Sequence, residues 1–196
     1  LDTTAAMHLA PVLTGFAAAC PAVDLSLRTG TTAELVEQVL AGAVEGAFVC
    51  GPVEHPAIEA TPAFQEELVA ITAPGMTEIA DVMSGAETRI VVLRAGCSYR
   101  RRLEEILAAR GVTGLRILEF GTIETILGCV SAGLGITLLP RGIAEGPVAR
   151  GRVRAHSLPA REGGVMTLFI RRRDSYRTPA MTAFMDHLYP TADAAQ

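Results

Sequence analysis

The feature that most constrains this chain is an internal repeat. Residues Leu27–Gly42 can be laid on Leu118–Gly133 at a constant offset of 91. Gly30 then meets Gly121, Thr31 meets Thr122, Val39 meets Val130, Ala41 meets Ala132 and Gly42 meets Gly133. Leu35 falls on Ile126 and Val36 on Leu127, and in the apolar runs that follow Phe48 falls on Leu139. Strand–turn–helix units share local grammar, which alone produces part of such a match. Taken as a repeat, the pattern predicts two similar α/β lobes, each built on a strand–Gly-Thr–helix turn.

Periodicity fills in the elements. Leu9, Val12, Leu13, Phe16 and Cys20 give the 3–4 spacing of one buried helix face over residues 4–19. Val23 to Arg28 alternates apolar and polar, which predicts a half-buried strand. Thr31 with Glu34 forms a capping box opening a helix lined by Leu35, Val36, Val39 and Leu40, with Gly42 to close it. Ala47 to Cys50 reads as a strand buried on both faces, stopped by Gly51-Pro52. Further strands are expected at 68–71, 90–93, 115–117, 136–140 and 165–170. Helices are expected at 100–110, along the Ile123, Ile126, Leu127, Val130 stripe, and after Thr178-Pro179. The tail beyond Pro190 is expected to fray.

Strands alternating with helices predict an α/β fold with mostly parallel central sheets, covered on both faces. The offset also predicts a counterpart to the strand at 89–93 just before residue 1. Leu1 is therefore expected to begin a fragment that lacks the opening strand of its first lobe. The last strand and helix, 165–189, have no lobe of their own and are expected to return to the first. That gives subdomain I as 1–73 and 165–196, subdomain II as 74–164, and two crossovers.

Composition limits the function classes. Of 196 residues, 49% are apolar and 19% charged, which suits a packed globular protein. A formal net charge of −4 is the wrong sign for a nucleic-acid surface. No apolar stretch reaches the roughly 18–20 residues of a membrane span. Cys20, Cys50, Cys97 and Cys129 are far apart, which predicts reduced thiols in a cytoplasmic protein and no zinc site. No nucleophile elbow, phosphate loop, dinucleotide loop or metal-ligand spacing occurs, so neither an enzyme nor a cofactor is expected.

In open parallel sheets, ligands bind where strand carboxyl ends lead into helix N-termini. The turns of that kind are Asp2-Thr3-Thr4, Gly30-Thr31-Thr32, Gly96-Cys97-Ser98-Tyr99 and Gly121-Thr122, with Gly51 at a further strand end. They supply hydroxyls and backbone N–H groups, and helix N-termini favour anions by roughly 0.3–1 kcal/mol each. A small carboxylate or other anion is the expected ligand. Each residue also has a structural reading. Thr31 fits an N-cap best because Glu34 completes its box, and Gly30, Gly51 and Gly121 fit turn geometry. Cys97 fits a plain small residue far better than a reactive thiol, and Arg100 fits a solvated helix face, although it could reach an anion.

Three stretches resemble the effector-binding domain of LysR-type transcriptional regulators. They are Leu1 to Leu13 with Cys20-Pro21-Ala22-Val23-Asp24-Leu25, then Gly30 to Val36 running on to Val49, and Gly128-Cys129-Val130-Ser131-Ala132-Gly133-Leu134-Gly135-Ile136 to Pro140. The resemblance implies two Rossmann-like subdomains joined by two crossovers, as in periplasmic-binding-protein-like folds, with a small effector in the cleft. By carry-over Thr3 and Thr4 match the family's first hydroxyl loop, Thr31 and Thr32 its second, and Cys97 with Ser98 the loop of the other lobe. It implies a homodimer or tetramer, no membrane, and DNA binding only through a winged helix-turn-helix domain upstream, absent from this chain. It also implies that the effector, by contacting both lobes, changes their relative angle. The rival reading is a solute-binding protein of a transport system, with the same architecture.

Overall fold

A computed structural model of the chain describes residues 1–77 and 87–189; the tail beyond Pro190 lies outside them. In chain order the elements are α1 (Asp2–Thr4), a π-helical turn (Ala5–Leu9), α2 (Ala10–Ala19), α3 (Thr32–Leu40), β1 (Ala47–Cys50), β2 (Ile58–Thr72) and β3 (Glu87–Leu93). There follow α4 (Ser98–Ala109), β4 (Gly114–Phe120), α5 (Ile123–Ser131), β5 (Thr137–Pro140), α6 (Arg141–Ala149), β6 (Arg154–Ser157), α7 (Ala160–Gly163), β7 (Gly164–Arg172) and α8 (Pro179–Leu188). Two compact units emerge: unit 1 is Leu1–Gln65 with Met166–Gln196, and unit 2 is Glu66–Val165. Both breaks fall inside strands, so the chain passes between units along β2 and β7.

In unit 1, β1 is buried along its whole length. Its side chains alternate. Ala47 and Val49 join Leu35 and Val39 of α3 with Ile58 and Ile170, while Phe48 joins Leu9, Phe169, Met185 and Leu188. One strand thus seeds two cores, and each fully buried aliphatic or Phe side chain contributes about 1.5–3 kcal/mol. β1 runs antiparallel to β7, with Ala47 opposite Ile170 and Cys50 opposite Thr167. The helical run over residues 2–19 buries Leu9 and Phe16, and Phe16 meets Phe184 edge-on at 5.6 Å. Thr178 caps α8 by accepting from the Met181 amide at 3.0 Å, with Pro179 in the first turn.

The alternating segment Val23 to Arg28 is not a strand. Residues 24–31 carry no regular structure, and Leu25 and Leu27 are 39% and 62% exposed. Alternation says which side chains would face a core. A strand forms only when a neighbouring backbone takes its N–H and C=O groups. No amide of residues 24–29 reaches another element among the described residues.

In unit 2, β3 pairs parallel with β4 over seven residues, from Glu87 opposite Gly114 to Leu93 opposite Phe120. Its other edge meets the chain entering β5: the Val91 amide donates to Ile136 O at 2.8 Å, and the Ile136 amide to Arg89 O at 3.0 Å. β5 and β6 both pair antiparallel with the Leu68–Thr72 end of β2. Parallel pairing is thus centred on β3. α4 buries Tyr99, Leu103, Ile106 and Leu107 against this sheet.

The repeat is realised in three dimensions. α3 and α5 are nine residues each, with both ends displaced by 91. Each is capped by its Thr, and each is followed by a glycine at positive φ: 70° at Gly42 and 76° at Gly133. Several elements lacked a sequence signal. β2 is 15 residues long where only its apolar end was legible, because polar residues interrupt it between Glu59 and Glu67. α6 follows Pro140 directly, and Arg102 holds the turn at α7 by donating to Glu162 O (2.6 Å) and Arg161 O (2.9 Å).

Gly135 explains the second glycine of the Gly-Leu-Gly segment. A Cβ there would lie 2.5 Å from Arg89 O, whereas a Cβ at Gly128 on α5 would meet nothing within 4 Å. Gly135→Ala is therefore expected to cost about 1–3 kcal/mol, and Gly128→Ala to add up to about 1 kcal/mol through helix propensity. Urea denaturation of the two variants should move the midpoint in opposite directions; equal midpoints would refute the close-approach role.

Candidate functional site

Strand ends locate the candidates in unit 1. The amine of Leu1 donates to Phe48 O at 3.1 Å, so α1 begins alongside β1, close to its carboxyl end. Thr3 and Thr4 follow, both buried. Gly30 and Thr31 are also buried, at the start of α3. The Thr31 hydroxyl accepts from the Glu34 amide at 3.3 Å, while the Thr31 amide donates to Glu34 Oε2 at 2.8 Å. Its side chain is engaged as a cap. Gly51 precedes Pro52 through a cis peptide, and its amide donates to Met166 O at 2.9 Å. A Cβ at Gly51 would sit 2.9 Å from the Leu168 side chain, so a larger residue there would have to displace Leu168 on β7.

Four buried side-chain polar atoms lack a hydrogen-bond partner among the described residues: Thr4 Oγ1, Thr32 Oγ1, Thr167 Oγ1 and Gln38 Oε1. All four belong to unit 1. The three hydroxyls sit where strands meet helix starts. Thr4 lies in α1, Thr32 opens α3, and Thr167 on β7 stands opposite Cys50, the last residue of β1. A buried hydroxyl without a partner costs about 1–3 kcal/mol, so three near strand ends are unlike a core optimised only for stability.

In unit 2, the pairing of Leu93 with Phe120 brings the turns after β3 and β4 to the same end of the sheet. Cys97 is the N-cap residue of α4 and is buried; its side chain makes no capping bond. Ser98 is the first helical residue and half-buried. Tyr99 is buried, and its hydroxyl donates to Glu66 Oε2 on β2 at 3.3 Å. Gly121 and Thr122 are exposed, and Thr122 accepts from the Thr125 amide as the cap of α5. The same turn is thus buried in one unit and solvent-facing in the other.

Arg100 does not wait for an anion. It donates to Glu104 at 3.0 Å and Glu119 at 2.6 Å, and its pKa is raised, chiefly by the hydrogen bond to Glu104. A third helix start, α6, follows β5 at this end of the sheet. There Arg141 grips Glu67 with bonds of 2.7 and 2.6 Å, and the hydrogen bond from Arg141 holds the Glu67 carboxyl below its usual pKa.

Sequence reasoning missed Thr167 and Glu66. The signal for Thr167 was a lone hydroxyl in the apolar run 165–170, while Glu66 was hidden in the polar stretch before Leu68. Among the described residues, no group of three or more His, Cys, Asp or Glu could hold a metal, and no helix is long and apolar enough to cross a membrane. The turns offer hydroxyls and helix-start amides, which is the chemistry of binding a polar or anionic group.

Known proteins resemble this chain in sequence and in fold. A family model described as the LysR substrate binding domain matches residues 1–192. The chain is similar to the HTH-type transcriptional regulator GltR of Bacillus subtilis (strain 168), 40% identical over 188 residues, covering 96% of this chain and 64% of GltR. It thus spans a little under two thirds of that relative's length. Among solved structures it is similar to the Synechocystis PCC6803 CcmR regulatory domain in complex with 2-PG, with a TM-score of 0.82, 17% identity, and coverage of 98% and 95%. The effector binding domain of QuiR in complex with shikimate gives a TM-score of 0.78 at 17% identity, covering 95% and 90%. Likeness at that identity speaks to the fold, which is that of periplasmic-binding-protein-like effector domains. Capped turns at strand ends, a chain that crosses twice between two α/β units, and a match along almost every residue lead to one conclusion: the chain belongs to the LysR substrate-binding domain family of transcriptional regulators.

Proposed function

We propose that this chain senses a small metabolite bearing a carboxylate or another anionic group, and that occupancy controls transcription through the rest of a longer protein. The observation that carries the reading is the set of partnerless threonine hydroxyls, Thr4, Thr32 and Thr167, at the strand ends of unit 1. Buried polar groups are normally hydrogen-bonded, so these are the groups a ligand would satisfy. The starts of α3 and α4 add amides oriented toward negative charge. The ligands named for CcmR and QuiR, 2-PG and shikimate, are small molecules of the size such turns can hold. Relatives are named as regulators, which favours regulation over transport and over catalysis. In the full-length protein, DNA contact would belong to the upstream helix-turn-helix and assembly to a homodimer or tetramer. The present chain carries a net charge of −4 and would contribute sensing.

Thermal-shift screening against organic acids, followed by calorimetry, tests the ligand class. A true effector at about 100 times its Kd should stabilise the protein by about 2.7 kcal/mol. Thr4→Val in unit 1 and Ser98→Ala in unit 2 should each weaken binding about tenfold or more, the loss of a hydrogen bond to a charged group. Unchanged affinity in both variants would remove these turns from the site.

The orphan hydroxyls generate a second expectation, independent of any ligand. Thr167→Val keeps the shape and removes an unsatisfied polar group, so the unliganded protein should gain about 1 kcal/mol. A chemical-denaturation curve showing a loss of stability would mean that the Thr167 hydroxyl is already satisfied.

A further inference from the structure

The chain enters unit 2 at Glu66 on β2 and leaves it at Val165, so two short segments carry whatever unit 2 passes along the backbone. Those segments lie together. A Cβ at Gly163, just before the exit, would sit 2.9 Å from Leu68 O, just after the entry. α4 fastens both. Tyr99 donates to the buried Glu66 carboxylate at 3.3 Å. Arg102 donates to three carbonyls of the exit segment: Glu162 O at 2.6 Å, Arg161 O at 2.9 Å and Gly164 O at 3.2 Å. Arg110, at the far end of the helix, adds an ion pair to Glu162 at 2.6 Å.

Capping accounts for part of this. α7 is four residues long and leaves orphan carbonyls, which a guanidinium satisfies. Capping does not account for the placement. Ser98, Tyr99 and Arg102 all lie at the start of α4, whose N-cap is Cys97. Ser98 and Arg102 are four residues apart and Tyr99 and Arg102 three, so each pair meets on one helix face. Leu103 and Leu107 are fully buried, which ties this stretch of helix to a close-packed core that moves as a body. The planar fork of an arginine fixes direction as well as charge.

We propose that Arg102 is a positioning residue for the sensing site, coupling occupancy of the Cys97-Ser98 turn to the order of the segment by which the chain leaves unit 2. The inference rests on the reading of that turn as one that meets the ligand. A negative group settled at the start of α4 strengthens its first turn. Arg102 passes that order to residues 161–164, and Tyr99 passes it to Glu66. The ligand is then felt at both segments without touching either.

A tethered carboxylate serves as the probe in the test. Ser98→Asp places it in the first turn of α4, and hydrogen exchange on the full-length protein reads the Glu162 and Gly163 amides, both bonded to Pro159 O. With Arg102 present, Ser98→Asp should slow the amides of α4 and these two together, by about two- to fivefold. Combined with Arg102→Gln it should slow α4 alone. Arg102→Lys keeps the charge but not the fork, and gives the same separation if the Gln variant does not fold. Slowing at Glu162 and Gly163 that survives the loss of Arg102 would overturn the inference. Slowing confined to α4 with Arg102 intact would overturn it too, while leaving the reading of the turn in place. Slowing nowhere would remove both.

Discussion

The seven parallel pairs between β3 and β4 are the constraint from which the rest of unit 2 follows. Parallel neighbours cannot be joined by a hairpin, so each crossover is a helix, and each helix starts at the same end of the sheet. That is why Cys97 and Ser98, Thr122, and the start of α6 share one end although up to 44 residues separate them in sequence. The backbone contact between Gly135 and Arg89 completes the arrangement by letting the entry to β5 lie against β3 without a side chain between them. Nothing about catalysis is required for this geometry; it collects hydrogen-bond donors and positive helix ends by topology alone.

Unit 1 uses the same grammar toward a different balance. Its Gly30-Thr31 turn is buried where the equivalent Gly121-Thr122 turn of unit 2 is exposed, and three of its threonine hydroxyls lack partners among the described residues. The two cores on either face of β1 can carry that cost, since several fully buried Leu, Val, Ile and Phe side chains outweigh a few unsatisfied hydroxyls at about 1–3 kcal/mol each.

Much of the fold was legible in the residues, and the reasons are local. Capping boxes and N-caps at Thr31, Thr122 and Thr178 mark helix starts because a hydroxyl at that position satisfies an orphan amide within four residues. Gly42 and Gly133 mark helix ends because the backbone there turns to positive φ. The candidate site was legible only in part. Turn composition pointed to Thr3, Thr4, Thr31 and Thr32, and the spacing to Glu34 already marked Thr31 as a cap, but only the coordinates show that the Thr4 and Thr32 hydroxyls have no partner among the described residues.

Sequence by itself therefore determined the two-unit α/β plan, the repeat, the boundaries of α3 and α5 and the turns that carry hydroxyls, since each depends on interactions within a few residues or on periodic burial. Tertiary structure alone decided whether Val23 to Arg28 becomes a strand, which way β2 and β7 pair, and that Thr167 stands opposite Cys50. Strand pairing and the satisfaction of a buried polar atom depend on groups distant in the chain, and no local pattern encodes which distant backbone will arrive.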